Sequence, residues 1–195
     1  KLISLLNFKN YENLKVEFSN HVNCFLGNNG VGKTNLLDAI YYLSFCKSYY
    51  NVFESDNIRY GEIFFMINGQ FLNDDGGELK IGCSLKDKKK EVQLNNKRYN
   101  KLSEHIGKIP LVIVTPLDST LILGAGEVRR KFINILLSQI DNEYLQDLIS
   151  YNRTLKQRNA LLKKFDSTSS NNDLLLTYNQ VLSELGNKIF LKRKL

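Results

Sequence analysis

Eight consecutive residues, Gly27, Asn28, Asn29, Gly30, Val31, Gly32, Lys33 and Thr34, spell G-x-x-x-x-G-K-T. Each residue type answers a separate demand of holding a triphosphate. Glycines carry no Cβ, so the backbone can bend tightly and turn several N–H groups toward one anion. The Lys33 ammonium suits the β- and γ-phosphates, and the Thr34 hydroxyl is placed to ligate Mg²⁺, so the expected ligands are a nucleoside triphosphate and Mg²⁺. Such a loop works between a strand and a helix N-terminus. Residues 21–26 before it read as a buried strand, and Leu36, Ile40 and Leu43 after it recur at the spacing of a helix over residues 35–46.

Other chemistries find little support. Cys24, Cys46 and Cys83 lack metal-ligand spacing and read as buried, reduced thiols of a cytosolic protein, hence a cytoplasmic location. His21 and His105 are isolated and read as structural. No apolar run approaches the roughly 20 residues needed to span a bilayer, and no secretory signal opens the chain. A net charge of +7 leans toward a polyanionic partner. Residues 152–165 carry Arg153, Lys156, Arg158, Lys163 and Lys164 without an acidic residue, and two further clusters lie at 129–131 and 188–194. These faces suit a nucleic-acid backbone or simply solvent, and both readings stand.

The rest of the 195-residue chain, 43% hydrophobic, must position that loop. Strands are expected over residues 2–6, 14–18, 63–72, 78–85 and 91–94, an antiparallel meander with turns at 73–77 and 86–90. The apolar run 111–114, closed by Thr115-Pro116, suits a buried, parallel strand. Helices follow over 127–140 and 143–165. After a polar linker at 166–172, Leu174, Tyr178, Val181, Leu185 and Ile189 mark another. Leu148, Leu155 and Leu162 fall seven apart, as do Tyr144 and Tyr151, which suggests an antiparallel hairpin. The expected fold is α/β: a phosphate-loop lobe over residues 1–125 with a mixed sheet, then a helical arm over 126–195.

The wording around the loop narrows the class. Leu5-Leu6-Asn7-Phe8-Lys9-Asn10-Tyr11, and the stretch from Asn28 to Leu43, resemble the N-terminus of the RecF family of DNA repair proteins, which belongs to the ABC/SMC-like ATPases. Lys47-Ser48 matches the start of that family's lid segment and Thr115-Pro116 its Ser/Thr-Pro dipeptide. Gly124 through Asn134 looks like its double-arginine helix, and Tyr151 through Lys163 its long-helix signature. Departures occur at Tyr50, in the place of an arginine, at Leu117-Asp118, in the place of an acidic pair, and at Tyr178, where tryptophan is common. The resemblance implies an ABC-type head with ATP sandwiched between two copies. It implies a homodimer clamping double-stranded, gapped DNA in repair, replication and the SOS response to DNA damage, helping to load recombinase with a RecR-type mediator. It also places Lys9 and Asn10 near the nucleotide and Arg153, Lys156 and Arg158 on DNA. Asp118 either helps place Mg²⁺ or water or is an ordinary loop aspartate.

An ABC-type ATPase also needs an apolar strand ending in Asp-Glu and an L-S-x-G-x signature. The 111–114 run ends in Thr-Pro, and Leu182-Ser183-Glu184-Leu185-Gly186 reads as a helical face. No catalytic residue is therefore assigned. The chain begins at Lys1 and contains one methionine, Met66, so it is expected to be a piece, about the N-terminal half of such a protein. The rivals are a small phosphate-loop kinase, which would need an arginine-rich lid and an acidic acceptor-site strand, and a nucleotide-sensing module without turnover.

Overall fold

The computed structural model describes residues 1–72, 75–163 and 170–194. The chain divides into two units, Lys1–Ile113 and Val114–Leu195.

The first unit is a six-stranded sheet in the order β2-β1-β3-β4-β5-β6, with every pairing antiparallel. Its strands are β1 (Leu2–Phe8), β2 (Tyr11–Glu17), β3 (Phe64–Leu72), β4 (Glu78–Lys86), β5 (Lys89–Leu94) and β6 (Lys97–Arg98). Alternation along each strand puts one face inward. Leu14, Leu5, Ile67, Cys83 and Val92 lie side by side across five strands, a row of apolar side chains that continues the core. Helix α1 (Lys33–Phe45) closes that face with Leu36, Ala39, Tyr42 and Leu43. Gly69 shows how closely: a Cβ there would come within 2.7 Å of Leu43 Cδ1 and 2.5 Å of the Phe71 ring.

Two hairpins are tighter than the sequence suggests. The β4–β5 loop is two residues, Asp87 and Lys88, both at left-handed φ of 51° and 60°. Asn95 and Asn96 do the same between β5 and β6, a strand the apolar pattern did not signal although the Asn-Asn pair suits that turn. Of the expected turn at 73–77, residues 73 and 74 lie outside the described residues.

Two expected strands do not form. Residues 21–26 and 111–114 have no regular structure, and Val22, Leu26, Val112 and Val114 are 84%, 92%, 60% and 78% exposed. A strand is stabilised by neighbours that accept its backbone hydrogen bonds and cover its side chains, and neither run has joined the six-strand sheet.

The second unit holds a short turn of helix, α2 (Thr120–Leu123), then α3 (Gly126–Ile140), α4 (Asn142–Lys163) and α5 (Ser170–Arg193). Residues 170–172, expected in the linker, already belong to α5, while 164–169 lie outside the described residues. Helices α4 and α5 run antiparallel in heptad register. Tyr144, Tyr151 and Arg158 meet, respectively, Arg193, Gly186 and Asn179, so steps of seven on one helix match steps of seven back along the other. The Tyr144 hydroxyl donates to Asn134 Oδ1, which also accepts from Arg193 Nε at 3.0 Å, tying all three long helices together. No helix among the described residues is long and apolar enough to cross a membrane.

Candidate nucleotide site

The loop at residues 27–34 turns into α1 through Gly32, whose φ of 112° is a conformation that L side chains rarely adopt. A Cβ there would sit 2.6 Å from the Tyr11 hydroxyl and 2.7 Å from Asn10 Nδ2, so space as well as torsion requires glycine. No side chain caps the α1 N-terminus and no acidic residue stands in its first turn. The first N–H groups of a helix have no intrahelical acceptor and carry its positive dipole end, so this terminus suits an anion. Lys33 Nζ donates to the carbonyls of Gly27 at 2.7 Å and Asn28 at 2.9 Å, holding the ammonium over the loop. The Thr34 side chain, the expected Mg²⁺ ligand, belongs to an exposed residue. These groups fit a nucleotide triphosphate and its cation.

Asn10, far earlier in sequence, is brought to the loop by the β1–β2 turn. Its Nδ2 donates to the Val31 carbonyl at 3.1 Å, and its Oδ1 accepts from Asn35 Nδ2 at 2.8 Å. Lys9, on the same turn, holds a left-handed φ of 52° and forms an ion pair with Asp38 of α1. An open cleft of about 710 Å³ lies beside these residues. Lys9, Asn10, Thr34 and Asn35 form one part of its lining; Tyr50, Asn51, Asp56 and residues 58–60 form the rest.

Sequence reasoning gave Asp38, Asn35 and Asn51 no role, and placed Ser48 only at the start of a lid segment. One signal was present: Asp38 is a lone acid in the apolar stretch that follows the loop, and it proves fully buried.

Burial and local hydrogen bonds shift a few titratable groups of this unit. The Tyr41 hydroxyl is pushed up to about 12, first by burial and then by Tyr49 and Asp38. Tyr42 is pushed up further by burial and by its hydrogen bond to Glu54, whose carboxylate also pairs with Lys90 above the Tyr42 ring. Cys46 and Cys83 are buried, and their mutual hydrogen bond raises the Cys83 thiol; Cys24, expected to be buried, is exposed because its segment is not part of the sheet. His105 is fully buried, with Nε2 2.7 Å from the Leu43 carbonyl oxygen and Nδ1 3.2 Å from the Tyr99 hydroxyl, and desolvation lowers its pKa. Among the described residues no cluster of His, Cys, Asp and Glu suits a metal ion.

In the second unit, Asp118 accepts from the Thr115 N–H and closes its own turn. Arg129, from the basic cluster at 129–131, donates through Nη1 to the carbonyls of Gly124 at 2.9 Å and Leu121 at 3.3 Å. Arg153 and Lys156 are exposed on α4, whereas Arg158 Nε donates to Asn179 Oδ1 at 2.6 Å. The Leu182–Gly186 stretch lies inside α5, with Gly186 placed against Tyr151.

A family profile described as AAA domain matches residues 2–194. The chain is 49% identical to the DNA replication and repair protein RecF of Phocaeicola vulgatus and 48% to that of Flavobacterium johnsoniae. It covers 99% and 98% of itself in those alignments. The chain belongs to the RecF family of AAA-domain proteins. It spans about half the length of these curated relatives, 52% and 54%. A solved structure of the recombination mediator protein RecF-ATP in the RecFOR pathway matches it with a TM-score of 0.92 at 34% identity, over 100% of this chain and 52% of that one. An Smc head domain from Pyrococcus furiosus shares the fold alone, at TM-score 0.57 and 19% identity, over 96% of this chain and 55% of that one. The fold is thus the α/β head of the ABC type.

Proposed function

We propose that this chain is the ATP-binding part of a RecF-type DNA repair and replication protein, acting in the cytoplasm. One observation carries the reading. The glycine-shaped loop ends at an uncapped, acid-free helix N-terminus, with the Lys33 ammonium poised over it on two carbonyls that phosphate oxygens can replace. Gly30, Gly32 and Lys33 would grip the phosphates and Thr34 would ligate Mg²⁺, while Asn28, Asn29 and Val31 shape the loop. Bound Mg²⁺ would neutralise phosphate charge. The RecF-ATP relative supports ATP as the ligand.

The carboxylates for hydrolysis and a facing signature are assigned to polypeptide beyond these residues, so turnover belongs to the intact dimer. The exposed runs 21–26 and 111–114 would gain strand neighbours from that polypeptide. Exposed Arg153 and Lys156 on α4 would track a DNA backbone at a gap, which calls for steep salt dependence. A RecR-type partner is part of this proposal, as the resemblance to the family implies.

Calorimetric titration of the full-length protein with Mg-ATP tests the reading. Lys33→Ala should weaken binding about a hundredfold, as loss of charge-assisted bonds worth about 3 kcal/mol predicts. ATP should also drive dimerisation on gapped DNA. Unchanged ATP affinity in Lys33→Ala would overturn the assignment.

A further inference from the structure

Asp38 is an aspartate with no exposed surface, one helical turn beyond Thr34 on α1. A buried carboxylate costs several kcal/mol unless donors surround it. Here three do, and they come from two separate segments. The Lys9 ammonium, from the β1–β2 turn, and the Ser48 hydroxyl, at 2.6 Å, both reach Oδ2. The Tyr49 N–H reaches Oδ1 at 2.6 Å.

Those segments are two walls of the cleft beside Thr34. Lys9 also lies 5.6 Å from the centre of the Tyr50 ring, and its backbone N–H donates to the Asn57 carbonyl at 2.8 Å. Ser48 Oγ in turn accepts the Asn51 N–H at 2.9 Å, and Asn51 Nδ2 donates to the Asp56 carbonyl at 3.0 Å. The left-handed Lys9 backbone, unfavourable for an L side chain, is kept by these contacts. A chain of bonds therefore runs from α1 through both walls, and Asp38 is the point where it is referenced to the helix that carries the phosphate loop.

We propose that Asp38 is the positioning residue of the nucleotide site, fixing Lys9 and the 48–51 loop as the walls that receive the nucleoside portion of the ligand, without touching the ligand itself. This rests on the nucleotide reading above. It also gives Lys9 a wall-building role and leaves Lys33 as the phosphate-gripping lysine. A carboxylate that served stability alone would not discriminate between parts of the ligand.

The test compares Mg-ATP with inorganic tripolyphosphate on full-length protein, wild type and Asp38→Asn. Asparagine keeps the shape and can still accept the Tyr49 N–H, but it leaves Lys9 without its counter-charge. ATP affinity should fall about tenfold, the equivalent of one charge-assisted bond, while tripolyphosphate affinity stays within about twofold. Equal losses for both ligands, or no loss of ATP affinity, would overturn the proposal. If Asp38→Asn does not fold, Ser48→Ala removes one donor without stranding the charge. It should cost ATP, and not tripolyphosphate, about threefold, and equal effects on the two would overturn the proposal as well. Wild-type protein that binds neither ligand would sink the nucleotide reading itself, an outcome distinct from both.

Discussion

The runs at β1 and β3 and the runs at 21–26 and 111–114 are alike in apolar content, yet they end in opposite environments. Ile3, Leu5, Phe65 and Ile67 are at most 3% exposed, whereas Val22 and Leu26 stand almost wholly in solvent. The first pair have antiparallel neighbours on both sides or the cover of α1; the second pair belong to no sheet. Apolar composition thus marks where a strand is possible, and a neighbour makes it one. The nucleotide loop sits at the junction of the two regimes: 21–26 leads into it and α1, locked onto the sheet, leads out.

Substitutions can break that comparison. Leu43→Ala removes the side chain seated over Gly69 in the packed region and should cost about 2–5 kcal/mol in denaturant unfolding of the 195-residue chain. A loss below about 1 kcal/mol would mean that the core under α1 is loose.

His105 tests the edge between the regions, since it ties the segment before 111–114 to the end of α1. Its folded pKa is lowered, chiefly by burial. Above about pH 6.5 the folded and unfolded states are both neutral, and the stability of the His105 site is fully present. As pH falls below about 6.5 the unfolded state takes up a proton that the folded state refuses, so stability declines until the folded pKa is passed. His105→Phe should remove that decline and cost about 1 kcal/mol at neutral pH for the lost bond to Leu43. Thermal melts across this pH range read both effects.

The smallest effect sharpens the contrast. Val112→Ser should change the stability of the 195-residue chain by less than about 0.5 kcal/mol, because its side chain is already in water. The same change in full-length protein should cost about 1 kcal/mol or more if a strand from beyond these residues covers it. Equal, small effects in both would show that 111–114 stays uncovered.

Much of the fold was legible because its signals are local. Alternation in 2–6, 63–72 and 78–85, the heptads from Tyr144 to Leu162, and the glycines of the loop each encode their structure within a few residues. The Lys89–Arg98 hairpin was half-read, since its Asn95-Asn96 turn outweighed a weak apolar pattern. The failures were also physical. Period and polarity cannot show whether a partner strand is within reach of 21–26 or 111–114, nor that Cys24 would be left exposed with its segment.

For the site, sequence alone determined the phosphate-gripping part, because residues 27–34 are contiguous and their backbone demands are written in residue type. Only the tertiary structure decided what faces it. Lys9 and Asp38 are 29 positions apart, and Asn10 and Asn35 are 25 apart. Their meeting depends on the β1–β2 turn folding back over α1, and on the cost of burying a carboxylate that only this arrangement offsets.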